Sequence, residues 1–255
     1  VILLAEPDRI QEVTAMTAPA PTRLDRLDVD TVAALYRRYA EPLRLAREAQ
    51  RELLARRGKR LRPKLDDIEA ELTYLRLREL RPASVVEIGT FHGWSTTWIL
   101  RALRDNGAGR LHSFDLVDHA LRSVPEELAE GRWAFHHGDV RRNLSQLPNP
   151  VDYLFIDAAH TAPFARWYTR VLLPGLVPGT PVSVHDVYHW RRPGPFSEGR
   201  VVLGWLAGRG IGHFTAAPAH AREVSDAIYE VKCDLGLVAP VHGSSRHNPM
   251  IFFRT

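Results

Sequence analysis

The sequence predicts an α/β protein built on a mostly parallel sheet with flanking helices. Three observations carry that expectation. Ser84–Ile88 is a β-branched run that passes through Glu87 into a loop with Gly89 and Gly93. Trp94 to Leu103 follows with apolar residues at 94, 98, 99 and 103, the period of a helix. Further short apolar runs then recur at strand–helix spacing, and several end in a carboxylate or an imidazole.

Taken in order, residues 1–22 carry Pro7, Pro19 and Pro21 among small residues and predict a loose or partner-dependent arm. Asp30 or Thr31 is placed to cap a helix whose apolar positions are Val32, Leu35, Tyr36, Tyr39, Leu43 and Leu45, running to about Arg57 with an interruption at Pro42. Tyr36 and Tyr39 suit core packing better than a pocket wall. A second helix is expected from near Asp66, with Ile68, Leu72, Leu75, Leu77 and Leu80 on its apolar face. The expected division is an arm and helical cap over 1–65 and a ligand-binding domain over 66–255. In that domain, strands are expected at Arg110–Asp115, from Trp133 to the Gly138-Asp139 pair, at Val151–Asp157 and at Pro181–His185. After these, 201–206 reads as a helix, 213–216 as a sixth strand and 249–254 as the last. Residues 217–248 are left as a substrate-side insertion or an oligomer contact.

The composition suits a chain with a sizeable core: 255 residues, 45% hydrophobic, net charge +4. No run approaches the ~18 apolar residues of a membrane span. Cys233 stands alone, which excludes a disulfide framework and predicts a cytoplasmic setting. The basic run from Arg56 to Lys64 has no aromatic residue within it to stack on bases, so it reads as a solvated linker rather than a nucleic-acid surface.

The loop chemistry narrows the ligand. A dinucleotide fingerprint needs three closely spaced glycines to approach a pyrophosphate. Here the pattern is Glu87-x-Gly89-x-x-x-Gly93, and an acidic residue at the strand end repels a diphosphate but suits a cationic ligand. With Asp115 ending the second strand, Gly138-Asp139 after the third, Asp157-Ala-Ala-His160 after the fourth and His185-Asp186 after the fifth, residues 66–255 resemble the class I S-adenosylmethionine-dependent methyltransferases. The nearest pattern is that of the catechol and macrolide-sugar O-methyltransferases. The resemblance implies a Rossmann-like sheet of seven strands with the last antiparallel, and S-adenosylmethionine as cofactor. It implies that Asp115 holds the ribose hydroxyls, Asp139 the adenine, and Glu87, Gly89, Gly93 and Asp157 the remainder of the cofactor site. It also implies N-terminal helices that make homo-oligomer contacts.

Methyl transfer from a sulfonium needs an acceptor with a free lone pair, hence a general base or a metal that lowers the acceptor's pKa. Asp157, His185 and Asp186 stand where the resembled enzymes hold magnesium, so the resemblance implies Mg2+ or another divalent cation; an imidazole at His185 tilts the set toward a transition metal. His160 takes the place of a catalytic lysine and is the first candidate for the base, because its ordinary pKa lies near neutrality. His189 is the second. The expected reaction is methylation of a hydroxyl on a small molecule, a secondary metabolite, with N-methylation of an amino sugar or amino acid as the alternative. A nucleic-acid methyltransferase is disfavoured because Asp157-Ala-Ala-His160 lacks the Asn/Asp-Pro-Pro-Tyr segment of base-amino methylation. A cofactor-binding module without catalysis is disfavoured by the intact Asp157, His160 and Asp186 set.

Overall fold

The computed structural model describes residues 27–242 and 246–255; the N-terminal arm expected over 1–22 lies outside them. Seven strands form one sheet in the order β3-β2-β1-β4-β5-β7-β6. They are β1 (Ser84–Ile88), β2 (Arg110–Asp115), β3 (Trp133–His137), β4 (Tyr153–Ile156), β5 (Pro181–Val184), β6 (Phe214–Thr215) and β7 (Ile251–Arg254). Strands β1 to β5 pair in parallel, and β7 runs antiparallel to both of its neighbours. The strand order reverses at β1, between β2 and β4, and in such sheets ligands bind at the carboxyl ends on either side of that point.

Period-2 alternation splits the buried residues into two cores, one on each face. Val85, Tyr153, Phe155 and Phe252 join the core beneath α1 (Val29–Arg38), α2 (Ala40–Arg57), α3 (Asp67–Leu80), α4 (Trp94–Asn106) and α9 (Arg222–Asp234). Val86, Ile88, Leu154, Ile156, Val182 and Val184 join the other, under α7 (Ala162–Trp167) and α8 (Glu198–Ala207). Two short helices, α5 (His119–Ser123) and α6 (Glu126–Ala129), lie between β2 and β3.

The break between the first two helices falls at Tyr39, not at Pro42. Pro42 sits in the first turn of α2, where its missing N–H would have no partner in any case. Asp28 caps α1 through the Thr31 amide, and Asp66 caps α3 in a reciprocal box with Glu69. Residues 217–248 are not a free insertion: α9 lies within them and packs on α1. A buried ionic group ties these helices together. Glu71 accepts from Tyr36 Oη (2.7 Å) and from Lys232 Nζ (2.6 and 2.8 Å) and pairs with Arg47. Burial pushes the Lys232 ammonium down to about 7 and the Tyr36 phenol up. Tyr36 is therefore a core residue, and Tyr39 bonds Glu79 at 2.8 Å on the helix flank. Among the described residues no helix is long and apolar enough to cross a membrane.

Candidate active site

A cleft of about 350 Å³ opens at the carboxyl ends of β1, β2, β3 and β4. Gly89, Phe91, Asp115, Asp139 and Asp157 contribute to its wall. Gly89 must be glycine: φ is +90°, and a Cβ there would overlap the Asp157 carbonyl. Gly93 serves a different end, at the N-cap of α4, where a Cβ would press on Val124; it does not line the cleft.

Asp115 organises the loop. Its Oδ2 accepts from the Thr90 amide (2.6 Å), the Phe91 amide (2.7 Å) and Thr90 Oγ1 (2.9 Å), and Oδ1 accepts from the Val117 amide (3.1 Å). Asp139 also faces the cleft and pairs with Arg141 at 2.6 Å; hydrogen bonds from Arg141 hold its carboxyl below the usual range. Glu87 is placed elsewhere. It is fully buried behind the loop and accepts from Ser95 Oγ (2.6 Å), Thr96 Oγ1 (2.8 Å) and Ser113 Oγ (2.6 Å). Burial raises it to about 7 against the pull of those three hydroxyls. Glu87 is not part of the cleft wall, where the resemblance implied a cofactor contact, and instead ties β1 to β2 and to the start of α4.

A second group of side chains gathers beyond β4 and β5. Asp157 Oδ1 lies 3.1 Å from His185 Nδ1 and 3.3 Å from His160 Nε2. Asp186 reaches His185 Nδ1 (3.1 Å), His160 Nε2 (3.3 Å) and His189 Nε2 (2.7 Å). Two carboxylates absent from the sequence expectations close the group. Glu198 Oε2 sits 3.1 Å from His160 Nδ1, and Glu69 Oε2 sits 3.2 Å from His185 Nε2. One ligand atom from each of Asp157, His160 and His185 can be chosen so that all lie within 4.8 Å of one another. The donor set therefore fits a small cation. His160 and Asp186 take positive φ, 46° and 59°, a left-handed conformation uncommon outside glycine and concentrated at functional sites.

Electrostatics describe the same demand for positive charge. Burial disfavours charge on His160, yet Asp157, Glu198 and Asp186 outweigh it and push the imidazole up to about 10. His185 is raised well above the ordinary range by Asp157 and Glu69, again against burial. In turn, His185 and His160 override burial at Asp157 and hold its carboxyl well below normal. With Asp157, Glu198 and Asp186 around it, the His160 imidazole is held above its ordinary range, toward the charged form.

His247 packs edge-on against His189, whereas His92, His136 and His137 are engaged elsewhere. His136 bonds Gln146 (2.6 Å) and stacks on Phe114, and His137 bonds the Leu116 carbonyl (3.0 Å). His92 bonds the Arg60 carbonyl (2.9 Å) and stacks on His119. Trp94 is buried edge-on against Trp98 as a packing residue. After β5, Tyr188 is buried and stacks on His220, while Trp190 and Phe196 in the following loop stand 76% and 87% exposed.

Residues 86–187 match a family described as a methyltransferase domain. That stretch of the chain resembles a methyltransferase domain. That match spans β1 to the end of β5 and contains both the cleft and the Asp157–His185–Asp186 group. Among solved structures, an O-methyltransferase from Bacillus cereus in complex with SAH is 14% identical, with 89% of this chain and 100% of that one covered at a TM-score of 0.53. Cofactor-bound Rv0187 from MTB is 17% identical over 74% of this chain and 90% of its own, at a TM-score of 0.50. At these identities the likeness establishes the class I methyltransferase fold of the domain. No curated protein matches the chain.

Proposed function

We propose that this methyltransferase moves a methyl group from S-adenosylmethionine to a hydroxyl of a small molecule, with a divalent cation held by Asp157, His185 and Asp186. The observation that carries the reading is Asp157, which both lines the cleft and belongs to the imidazole–carboxylate group. One side chain thus marks the place where donor and acceptor would meet, the alignment an in-line displacement requires. S-adenosylmethionine supplies a methyl group on a sulfonium. The cation supplies Lewis acidity that lowers the pKa of a hydroxyl.

The chain's own groups do the rest. Asp115, with the loop amides already ordered on it, accepts from the ribose hydroxyls, and Asp139 faces the adenine. His189 is half exposed at the rim, and with Nε2 donating to Asp186 its Nδ1 lone pair is open to take the acceptor proton. Trp190 and Phe196 offer an apolar face for the acceptor, which suits an aromatic or sugar-bearing secondary metabolite. A hydroxyl is favoured over an amine because a cation bound beside it would lower its pKa and free a lone pair for attack. The exposed Arg56–Lys64 segment supports a small molecule over nucleic acid, since it presents solvated charge without stacking rings within the run. Pairing of two copies through the N-terminal helices would use the face that carries exposed Leu45, because the apolar faces of α1 and α2 are buried within the chain.

Calorimetry with S-adenosylmethionine and S-adenosylhomocysteine tests the cofactor, and SAH release with hydroxyl-bearing and amine-bearing acceptors tests the reaction. Asp115→Ala is expected to weaken S-adenosylmethionine binding about 100-fold through loss of two hydrogen bonds to a charged group. Unchanged affinity would remove Asp115 from the ribose. His189→Ala is expected to lower SAH release far more than cofactor affinity. Transfer only to amines would convert the reading to N-methylation.

A further inference from the structure

We infer that the Asp157–Asp186 centre is an imidazole-rich site built for a first-row transition-metal cation in preference to magnesium, with His160 a ligand beside His185 and with Glu69 and Glu198 as positioning residues. The inference rests on the cation assigned to that site above and adds its chemical class and the residues that impose it. Both histidines share one arrangement. His160 turns Nδ1 to Glu198 and Nε2 to Asp157 and Asp186; His185 turns Nε2 to Glu69 and Nδ1 to the same two aspartates. A histidine that donates its far N–H to a carboxylate has its tautomer and ring plane fixed, and the near nitrogen then presents its lone pair. His160 Nε2 and His185 Nδ1 both approach Asp157 Oδ1 and the Asp186 carboxylate, each ring backed by its own glutamate.

The backing groups are themselves fixed. Glu69 is almost fully buried; its Oε2 also accepts from the Asp66 amide (2.9 Å) and its Oε1 from the Met250 amide (2.8 Å). Glu198 is buried at the first residue of α8, and a bridge between Thr161 and Ser197 holds that helix start beside His160. Two oxygen donors with two imidazoles favour a borderline cation such as Mn2+, Fe2+ or Co2+, whereas magnesium prefers oxygen ligands throughout. A plain ion-pair network would give the same distances but no selectivity among cations, which separates the two explanations.

The test uses full-length protein stripped by chelator, titrated calorimetrically with CoCl2, MnCl2 and MgCl2, with the Co2+ absorption spectrum as a second readout. Expected are Co2+ and Mn2+ affinities at least 100-fold above that for Mg2+, and a 10- to 100-fold loss of Co2+ affinity in Glu198→Gln and in Glu69→Gln. S-adenosylmethionine affinity in Glu198→Gln should match wild type, which reports that the variant folds even where Glu69→Gln does not. His160→Ala should change the Co2+ spectrum. Equal affinity for Mg2+ and Co2+, or Glu198→Gln without effect, overturns the inference. Absence of all cation binding with normal S-adenosylmethionine affinity overturns it too and leaves the methyltransferase standing; failure to bind S-adenosylmethionine would instead strike the function proposed above.

Discussion

Glu87 makes folding stability depend on pH in a direction opposite to most acidic residues. Its carboxyl is raised from 4.5 to about 7 by burial, so the folded state prefers the protonated form. A raised carboxyl contributes stability that is fully present below the unfolded value and lost as pH rises through the folded one. The window is therefore about pH 4.5 to 7. At about 1.4 kcal/mol per pKa unit, a shift of this size is worth about 3 kcal/mol. Glu87→Gln keeps the shape, with its amide oxygen able to accept in place of one carboxylate oxygen and its NH2 donating to a hydroxyl in place of the other, but cannot ionise. The variant should gain about 3 kcal/mol relative to wild type between pH 4 and pH 8, or roughly 10 °C in Tm for a domain of this size. Urea unfolding of both proteins across that range measures the gap. A gap that stays constant with pH would refute the argument and place the Glu87 pKa near its unfolded value.

Two further outcomes follow from the geometry. Gly89→Ala sets a Cβ against the Asp157 carbonyl at a positive φ, so S-adenosylmethionine binding should fall below detection in calorimetry while the far-UV circular dichroism stays folded. Glu71→Leu strands Lys232 and Arg47 without their buried carboxylate at a cost of about 4 kcal/mol, seen as a Tm loss on the order of 10 °C; a loss under 2 °C would mean that the group relaxes to solvent.

The strands that carry the site were legible because buried parallel strands read as continuous apolar runs. Val85-Val86, Tyr153-Leu154-Phe155-Ile156 and Val182-Ser183-Val184 are of that kind, and Asp157, His185 and Asp186 follow them directly in the chain. The Tyr39 break was hidden because Pro42 looks like an interruption in sequence and is harmless in a first turn. Glu69 and Glu198 were hidden for another reason. Glu69 meets His185 across 116 residues, and Glu198 meets His160 across 38. No local periodicity encodes such a contact, and Glu69 has a sufficient local purpose in the box with Asp66. The elevated pKa of His160 was equally out of reach, since it depends on carboxylates that only the fold assembles.

Glu69 also imposes an order in time. Its Oε1 waits for the Met250 amide, 181 residues later in the chain. At ~5–20 residues per second of synthesis, that interval is roughly 10 to 40 seconds. Through that interval α3, β1 and α4 can already pack while Glu69 lacks one of its anchors, and for its first 116 residues the imidazole of His185 is not yet made. Until Met250 is made, Glu69 and the His185 ring it backs lack their finished anchoring. The finished backing of His185 belongs to a chain in which β7 has joined the sheet.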